Sequence, residues 1–229
     1  TSRGLGDVYK RQTHMSAREN ILARIRSANK VGEVSDVIGG SVTDRLASHP
    51  GSPMPDLSWD TIQKFKQRCI DAASTLDEVD QLNDVPKAVN QYLTENGLPM
   101  SLVCWPEFEN LTWSDGNVQV ESRGAIGDDK VGLTGSYCAV AETGTLVLLS
   151  GPDHHATTSL LPETHIAVVR RDRIVKTMEE AWQLIRSEVG SLPRQVAFIS
   201  GPSRTADIEM TLVYGAHGPF RVHVIIVDQ

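Results

Sequence analysis

The residues best placed to do chemistry lie in a turn of small and polar residues near the C-terminal end of the chain. In the stretch ISGPSRTADIE, an apolar run ends at Ile199 and is followed by Gly201, Ser203 and Arg204. A strand that leads through such a turn into a helix presents backbone N–H groups to an anion, and a guanidinium adds a forked donor. The spacing predicts a site for a small carboxylate or phosphate.

A helix from about Thr205 to Tyr214 is expected to follow this turn and to end at Gly215. Thr205 would add a hydroxyl donor at the helix start. The stretch lacks the glycine spacing of a dinucleotide fingerprint and the G-K-[ST] ending of a Walker A loop. The alternative is a structural turn in which Arg204 pairs with Asp207 or Glu209, whose carboxylates would repel an anion if they faced it.

Glu142 is a second candidate, in the sequence AETGT just before an apolar strand. A carboxylate at a strand end in an α/β sheet can act as a base or a nucleophile. The alternative is a solvated loop glutamate without a chemical role.

The histidines give weaker signals. His154 and His155 are adjacent, and neighbouring histidines rarely converge on one ion, so no metal site is predicted. His165 and His223 lie in apolar runs and are interpreted as core or edge residues. His217, in the sequence AHGP, is better placed for function, although it would also suit a turn.

The three cysteines, Cys69, Cys104 and Cys138, are far apart in the sequence. Iron-sulfur clusters are usually held by several clustered thiolates, so these residues are interpreted as buried, reduced thiols. A sparse, odd cysteine count favours the cytoplasm over a secreted disulfide framework. Since no flavin or nicotinamide motif is present either, the sequence predicts no cofactor.

Composition sets the class of protein. The 229 residues carry a formal net charge of -7 and are 40% hydrophobic, which suits one sizeable core. No basic stripe with interleaved aromatics is visible, so nucleic acid is not an expected partner. The longest apolar runs are far shorter than the roughly 20 residues of a membrane-spanning helix.

The N-terminal quarter is expected to stand apart from the core. Residues 1–14 are interpreted as a linker remnant before a start at Met15, and a helix is expected from there because Ser16 and Glu19 have capping-box spacing. Residues 31–58 are rich in Gly, Ser, Asp and Pro, which predicts a flexible linker.

Residues 59–229 are predicted to form one α/β domain. Apolar positions recur at helical steps from Trp59 to Leu76, from Pro86 to Asn96 and from Met178 to Val189. Near-continuous apolar strands joined through helices are typical of a largely parallel sheet covered on both faces. The predicted strands are Leu102–Trp105, Val118–Glu121, Gly144–Leu149, Ile166–Val169, Val196–Ser200 and Val222–Val227.

Five stretches, in this order, resemble the LUD-domain family and within it the lactate utilization protein C group. They lie between Val131 and Val227: VGLTGSYCAVAETGTLVLLSGP, SLLPETHIAVV, RIVKTMEEAW, ISGPSRTADIE and GAHGPFRVHVIIV. The resemblance implies a Rossmann-like three-layer α/β/α sandwich similar to the sugar-isomerase and CoA-transferase group, with the predicted N-terminal helical arm outside it.

The resemblance also implies a function: an accessory subunit in the oxidation of lactate to pyruvate, working with two iron-sulfur partner proteins. The alternatives are a CoA-transferase-like or isomerase-like enzyme that acts through Glu142, and an assembly scaffold whose N-terminal helix docks onto a partner. The predicted site residues are Glu142 for catalysis and, for binding an anion, Gly201, Ser203, Arg204, Thr205, Asp207, Glu209 and His217.

Because the sequence predicts no bound chromophore, we expect the purified protein to be colourless. An absorbance spectrum from 350 to about 600 nm, recorded under anaerobic conditions, checks this prediction, with iron and flavin analyses as controls. A stoichiometric flavin or iron-sulfur absorbance would contradict it and the accessory-subunit hypothesis together.

Overall fold

The computed structural model describes residues 17–29, 43–44, 47–48, 56–113, 117–205 and 213–228. The chain divides into two units, Thr1–Met54 and Pro55–Gln229. The first contains helix α1 (Ala17–Asn29), which confirms the predicted N-terminal helix. The predicted remnant at residues 1–14 and most of the predicted linker lie outside the described residues.

The second unit has four described α-helices, three short 3-10 helices and twelve described strands. The helices are α2 (Thr61–Asp71), α3 (Val85–Glu95), α4 (Thr157–Leu160) and α5 (Met178–Glu188). The strands are β1 (Thr75–Val79), β2 (Ser101–Cys104), β3 (Gln119–Ser122), β4 (Val131–Gly135), β5 (Cys138–Val140), β6 (Thr145–Leu149), β7 (Thr164–Arg170), β8 (Ile174–Val175), β9 (Val196–Ile199), β10 (Arg204–Thr205), β11 (Val213–Tyr214) and β12 (Arg221–Val227).

Three sheets organise these strands. The largest has the order β1-β12-β7-β4-β2-β3, and every pairing within it is parallel. The second has the order β8-β5-β6-β9 and is mixed, and β10 and β11 form a small antiparallel pair. The predicted α/β fold around a largely parallel sheet is confirmed.

Side-chain caps and a glycine mark where these helices begin and end. Asp60 caps α2 by accepting from the Gln63 N–H at 2.8 Å, and Thr177 caps α5 by accepting from the Glu180 N–H at 3.2 Å. Helix α3 ends before Gly97, which has φ +60°, as the sequence predicts. No described helix is long and apolar enough to cross a membrane.

Two apolar cores hold the layers together. The larger is built on the parallel sheet with α2 and α3, and its fully buried side chains include Phe65, Leu93, Leu133 and Ile225. The smaller lies between the mixed sheet and α5, where Val147 and Ile185 are fully buried. Burial of these side chains is the main favourable term in folding.

Two sequence-based predictions were wrong. The helix predicted from Trp59 to Leu76 ends at Asp71, because Leu76 lies in β1 and pairs with Val224 of β12. The helix predicted from Thr205 to Tyr214 is absent at both described ends, where Thr205 pairs with Val213 and Arg204 with Tyr214. Cross-strand pairing overrides the helical spacing at these positions.

His165 and His223 are both core residues. His165 is fully buried, and its Nε2 lies 2.8 Å from Thr134 Oγ1. His223 is 2% exposed, stacks on Tyr92, and places Nδ1 2.8 Å from Thr75 Oγ1. Burial lowers the pKa of each imidazole from its ordinary value to about 4.

Because His165 and His223 are buried, we expect the free energy of unfolding to fall in mild acid. Both are neutral in the folded state, whereas the unfolded chain binds their protons below about pH 6.5, so their contribution is complete above pH 6.5 and is lost as the pH falls toward 4. We expect the free energy of unfolding to fall by up to about 1.4 kcal/mol per pH unit for each histidine. Urea denaturation at pH 7.5, 6.0 and 5.0 measures this slope.

The control for this prediction is His223→Gln, which should reduce the slope by about half while lowering stability at every pH. An unchanged slope in the variant would contradict the assignment of His223 as a proton-linked core residue.

Gly132 in β4 predicts a second effect on stability. A Cβ atom at this position would lie 2.0 Å from the Thr158 carbonyl oxygen, a backbone atom of α4 that cannot move alone. Gly132→Ala should therefore destabilise the domain by about 1–3 kcal/mol in urea denaturation. Gly127→Ala is the matched control, because nothing lies within 4 Å of its Cβ position, and its stability should stay near wild type. Equal stability of the two variants would show that α4 does not pack on β4 this closely.

Candidate functional site

The order of the parallel strands reverses between β2 and β4. These strands are neighbours, with Val103 paired to Gly132, but the chain leaves them in opposite directions: β2 is followed by β3 on one side, and β4 leads toward β7 on the other. In open parallel sheets, ligands bind at the carboxyl ends of the strands where the order reverses in this way. The topology therefore favours a site beyond Cys104 and Gly135.

Trp105 and Glu107 occupy this position. The Trp105 N–H donates to the Leu133 carbonyl at 3.1 Å, which continues the β2–β4 contact past the end of β2. Glu107 lies so close to Gly135 that a Cβ atom there would be 2.6 Å from Glu107 Oε1. A glycine at the end of β4 thus lets the carboxylate pack against the backbone.

His154 joins these two residues from the loop after β6. Its imidazole stacks on the Trp105 indole, with ring centroids 4.3 Å apart and planes 20° apart. Its Nε2 lies 3.4 Å from Glu107 Oε2, and Trp105 Nε1 donates to the His155 carbonyl at 3.2 Å. The Trp105–His154–Glu107 cluster therefore combines an aromatic stack with a histidine–carboxylate pair.

A cleft of about 720 Å³ opens beside this cluster, between the loop after β6 and the residues before β9. Ser150, His154 and His155 line one side, and Arg194 and Gln195 line the other. A separate void of only about 10 Å³ lies nearby among Trp105, Leu148 and Ala197. Apolar walls with a few polar groups are typical of small-molecule sites. We call this feature the switch-point cleft.

The predicted anion turn has a different geometry from the one expected. Because no helix begins at Thr205, the helix N-terminus that would have attracted an anion is missing from the described residues. Arg204 instead donates to the Ala72 carbonyl just past the end of α2, and its guanidinium carbon lies 5.5 Å from the Tyr214 ring centroid. A guanidinium at a helix C-terminus is stabilising there. This geometry supports a structural role for Arg204.

Other described residues of the predicted anion site also contact neighbouring parts of the chain. Gly201 has φ +72°, and a Cβ atom there would lie 2.3 Å from the Ala72 carbonyl oxygen. Ser203 Oγ accepts from the His217 N–H at 3.4 Å, which brings these two predicted residues together. Thr205 is buried, and Asp207 and Glu209 lie outside the described residues. The anion site at this turn stays a prediction.

Glu142 lies in the turn between β5 and β6 and faces the start of α5. Its Oε1 accepts from the Met178 N–H at 3.2 Å, and its own N–H donates to the Lys176 carbonyl at 3.1 Å. A carboxylate at a helix N-terminus stabilises the helix dipole. The geometry gives Glu142 a capping role, and its catalytic role stays a prediction.

The turn that contains Glu142 and the predicted anion turn contact each other through hydroxyl groups. Thr145 Oγ1 lies 2.6 Å from both Thr143 Oγ1 and Ser200 Oγ. Gly144, like Gly201, packs against the end of α2, where a Cβ atom would be 2.7 Å from the Arg68 carbonyl carbon. The two turns thus form a junction at the end of α2, while the switch-point cleft lies at the other end of β6 and β9.

The three cysteines confirm the interpretation as buried thiols. Each is at most 1% exposed, and burial raises the pKa of Cys69 and Cys104 to about 12 and that of Cys138 to about 11. They are neutral thiols at physiological pH. In the part of the chain that the structure describes, no three His, Cys, Asp or Glu residues are grouped for a metal ion.

Sequence reasoning missed Trp105, Glu107, Arg194 and Gln195, and it considered His154 only as a metal ligand. The available signal was the sequence WPE directly after an apolar strand, since polar residues at the carboxyl ends of parallel strands are candidates for a site. The strand order that brings β2 beside β4 was not visible in the sequence.

Comparisons with known proteins give the chain a family. The LUD domain family model matches residues 71–227. Lactate utilization protein C from Bacillus subtilis is 38% identical over 128 residues, which cover 54% of this chain and 53% of that protein. Lactate utilization protein C 1 from Bacillus mycoides is 44% identical over 119 residues, covering 51% and 50%. The chain therefore matches about half the length of these relatives.

A solved structure agrees with the fold. The crystal structure of a DUF162 family protein from Deinococcus radiodurans aligns with a TM-score of 0.54 and 24% sequence identity, covering 73% of this chain and 96% of that one. This likeness supports the α/β fold, and the family model matches most of the second unit. This chain belongs to the LUD-domain family.

Proposed function

We propose that the chain serves lactate utilization as a non-redox component of a multi-protein system that oxidises lactate to pyruvate. The observation that carries the proposal is the similarity to relatives named lactate utilization protein C, at 38% and 44% identity over matched regions of 128 and 119 residues. Oxidation of a hydroxy acid needs a redox acceptor, which proteins obtain from cofactors. In this proposal, two iron-sulfur partner proteins in the cytoplasm supply it.

Within this system, the role that the geometry supports best is the binding of a small-molecule ligand. The switch-point cleft is lined by His154, which contacts Trp105 and Glu107 just past the end of β2, and by the exposed Arg194 on the opposite side. The turn at Ser200–Thr205 is less well supported, because Arg204 is bonded to the Ala72 carbonyl. The proposed ligand carries a carboxylate or a phosphate.

The two alternative functions have less support. A transferase or isomerase acting through Glu142 needs that carboxylate to reach a substrate, whereas it accepts a hydrogen bond from the start of α5. A pure scaffold leaves the switch-point cleft without a role. Both remain outcomes of the experiment below.

The test is affinity purification of the tagged chain from its native host. We expect two iron-sulfur proteins to co-purify from cells grown on lactate and to be depleted from cells grown on another carbon source. Deletion of the gene should abolish growth on lactate, and the wild-type gene should restore it. Recovery of the chain alone after chemical cross-linking, together with normal growth of the deletion strain on lactate, would contradict the proposal.

Glu142→Gln separates the enzyme alternative from the proposed role. The amide keeps an oxygen that can accept from the Met178 N–H but cannot act as a base or a nucleophile. We expect the Gln variant to restore growth of the deletion strain on lactate as well as the wild type does. Loss of growth with unchanged thermal stability would favour the enzyme that acts through Glu142.

A further inference from the structure

We propose that the switch-point cleft binds a nucleotide-like ligand, with a planar ring stacked on His154 and an anionic group paired with Arg194. The inference deepens the proposed function by naming the class of ligand, and it rests on the assignment of the cleft as the ligand site.

The charge of the lining favours an anion. Arg194, His154 and His155 line the cleft, and none of its nine described lining residues is an Asp or a Glu. Glu107 contacts His154 from outside this lining, so Arg194 is the charged group that faces the cleft, in a chain whose formal net charge is -7. A guanidinium recognises a phosphate or carboxylate through two parallel N–H donors, which makes Arg194 the stronger partner for an anion.

The histidine stack favours a planar group. Trp105 covers one face of the His154 imidazole and is itself only 4% exposed. The His154 side chain is 46% exposed, and this exposed part lines the cleft. Contact with Trp105 and Glu107 holds the ring in one orientation before a ligand arrives, which reduces the entropy lost on stacking.

The size of the cleft points to a ligand larger than a three-carbon acid. Its volume of about 720 Å³ lies within the range of roughly 300–1,000 Å³ that is usual for drug-sized ligands and cofactors. A base, a sugar and a phosphate together provide the planar ring and the anion that His154 and Arg194 would contact.

The test is calorimetric titration of the whole chain with adenosine monophosphate, adenosine, ribose 5-phosphate and inorganic phosphate. We expect adenosine monophosphate to bind at least about tenfold more tightly than each of the others, because only it offers both the ring and the anion. Arg194→Ala should weaken its binding by about 10- to 100-fold and leave adenosine almost unaffected.

Substitutions of His154 test the ring platform. His154→Ala should weaken both adenosine and adenosine monophosphate by about 3- to 10-fold, and His154→Phe should restore most of that loss, since it keeps a stacking surface. Arg186→Ala is the matched control, because Arg186 is an exposed cation on α5 that does not line the cleft. Its affinities should equal those of the wild type.

Two results would overturn the inference. The first is the absence of adenosine monophosphate binding at millimolar concentration by protein that melts cooperatively. The second is binding that Arg204→Ala weakens and Arg194→Ala does not, which would place the ligand at the turn instead. Neither result changes the growth and co-purification experiments, so failure of the ligand class is distinguishable from failure of the proposed function.

Discussion

Close packing along β4 is the constraint on which the rest of the structure depends. This strand lies between β2 and β7, and its two glycines allow other parts of the chain to approach its backbone. Gly132 accommodates the Thr158 carbonyl of α4, and Gly135 accommodates the Glu107 carboxylate. A side chain at the first position would displace α4, and one at the second would displace the carboxylate that contacts His154. The same strand therefore positions α4 and the carboxylate of the Trp105–His154–Glu107 cluster.

Polar groups inside the core are held neutral by burial. The two buried imidazoles each contact a threonine hydroxyl, and the three cysteines are protonated thiols because desolvation disfavours their charged forms. The charged groups that remain near the cleft lie at its surface, where water can solvate them. This separation of neutral interior groups from exposed ionisable ones distinguishes residues that stabilise the fold from those that can contact a ligand.

The structure distinguishes the two turns that the sequence singled out from a cleft that it did not reveal. The turns at Thr143–Thr145 and Ser200–Arg204 join the mixed sheet to the end of α2 through hydroxyl contacts, close glycine packing and the Arg204 hydrogen bond. Every one of these contacts is made within the chain. The switch-point cleft, by contrast, exposes His154 and Arg194 around an open volume, with Glu107 in contact with His154. A region that is satisfied internally is better suited to stability, and one with exposed, oriented groups is better suited to binding.

The sequence alone determined the α/β class, most strands of the parallel sheet, the helices α3 and α5 and the LUD-family resemblance. These follow from local signals: apolar runs such as Val222–Val227, the Thr177 cap and Gly97 at a helix end. Only the tertiary structure decided that Thr205 and Tyr214 belong to strands, because Thr205 pairs with Val213 and Tyr214 with Arg204, and helical spacing in the sequence cannot reveal such pairing. The tertiary structure also decided which residues come together at the switch-point cleft. Trp105 and His154 are far apart in the sequence and stack on each other, and Arg194 lies across the cleft from His154 because β9 pairs with β6.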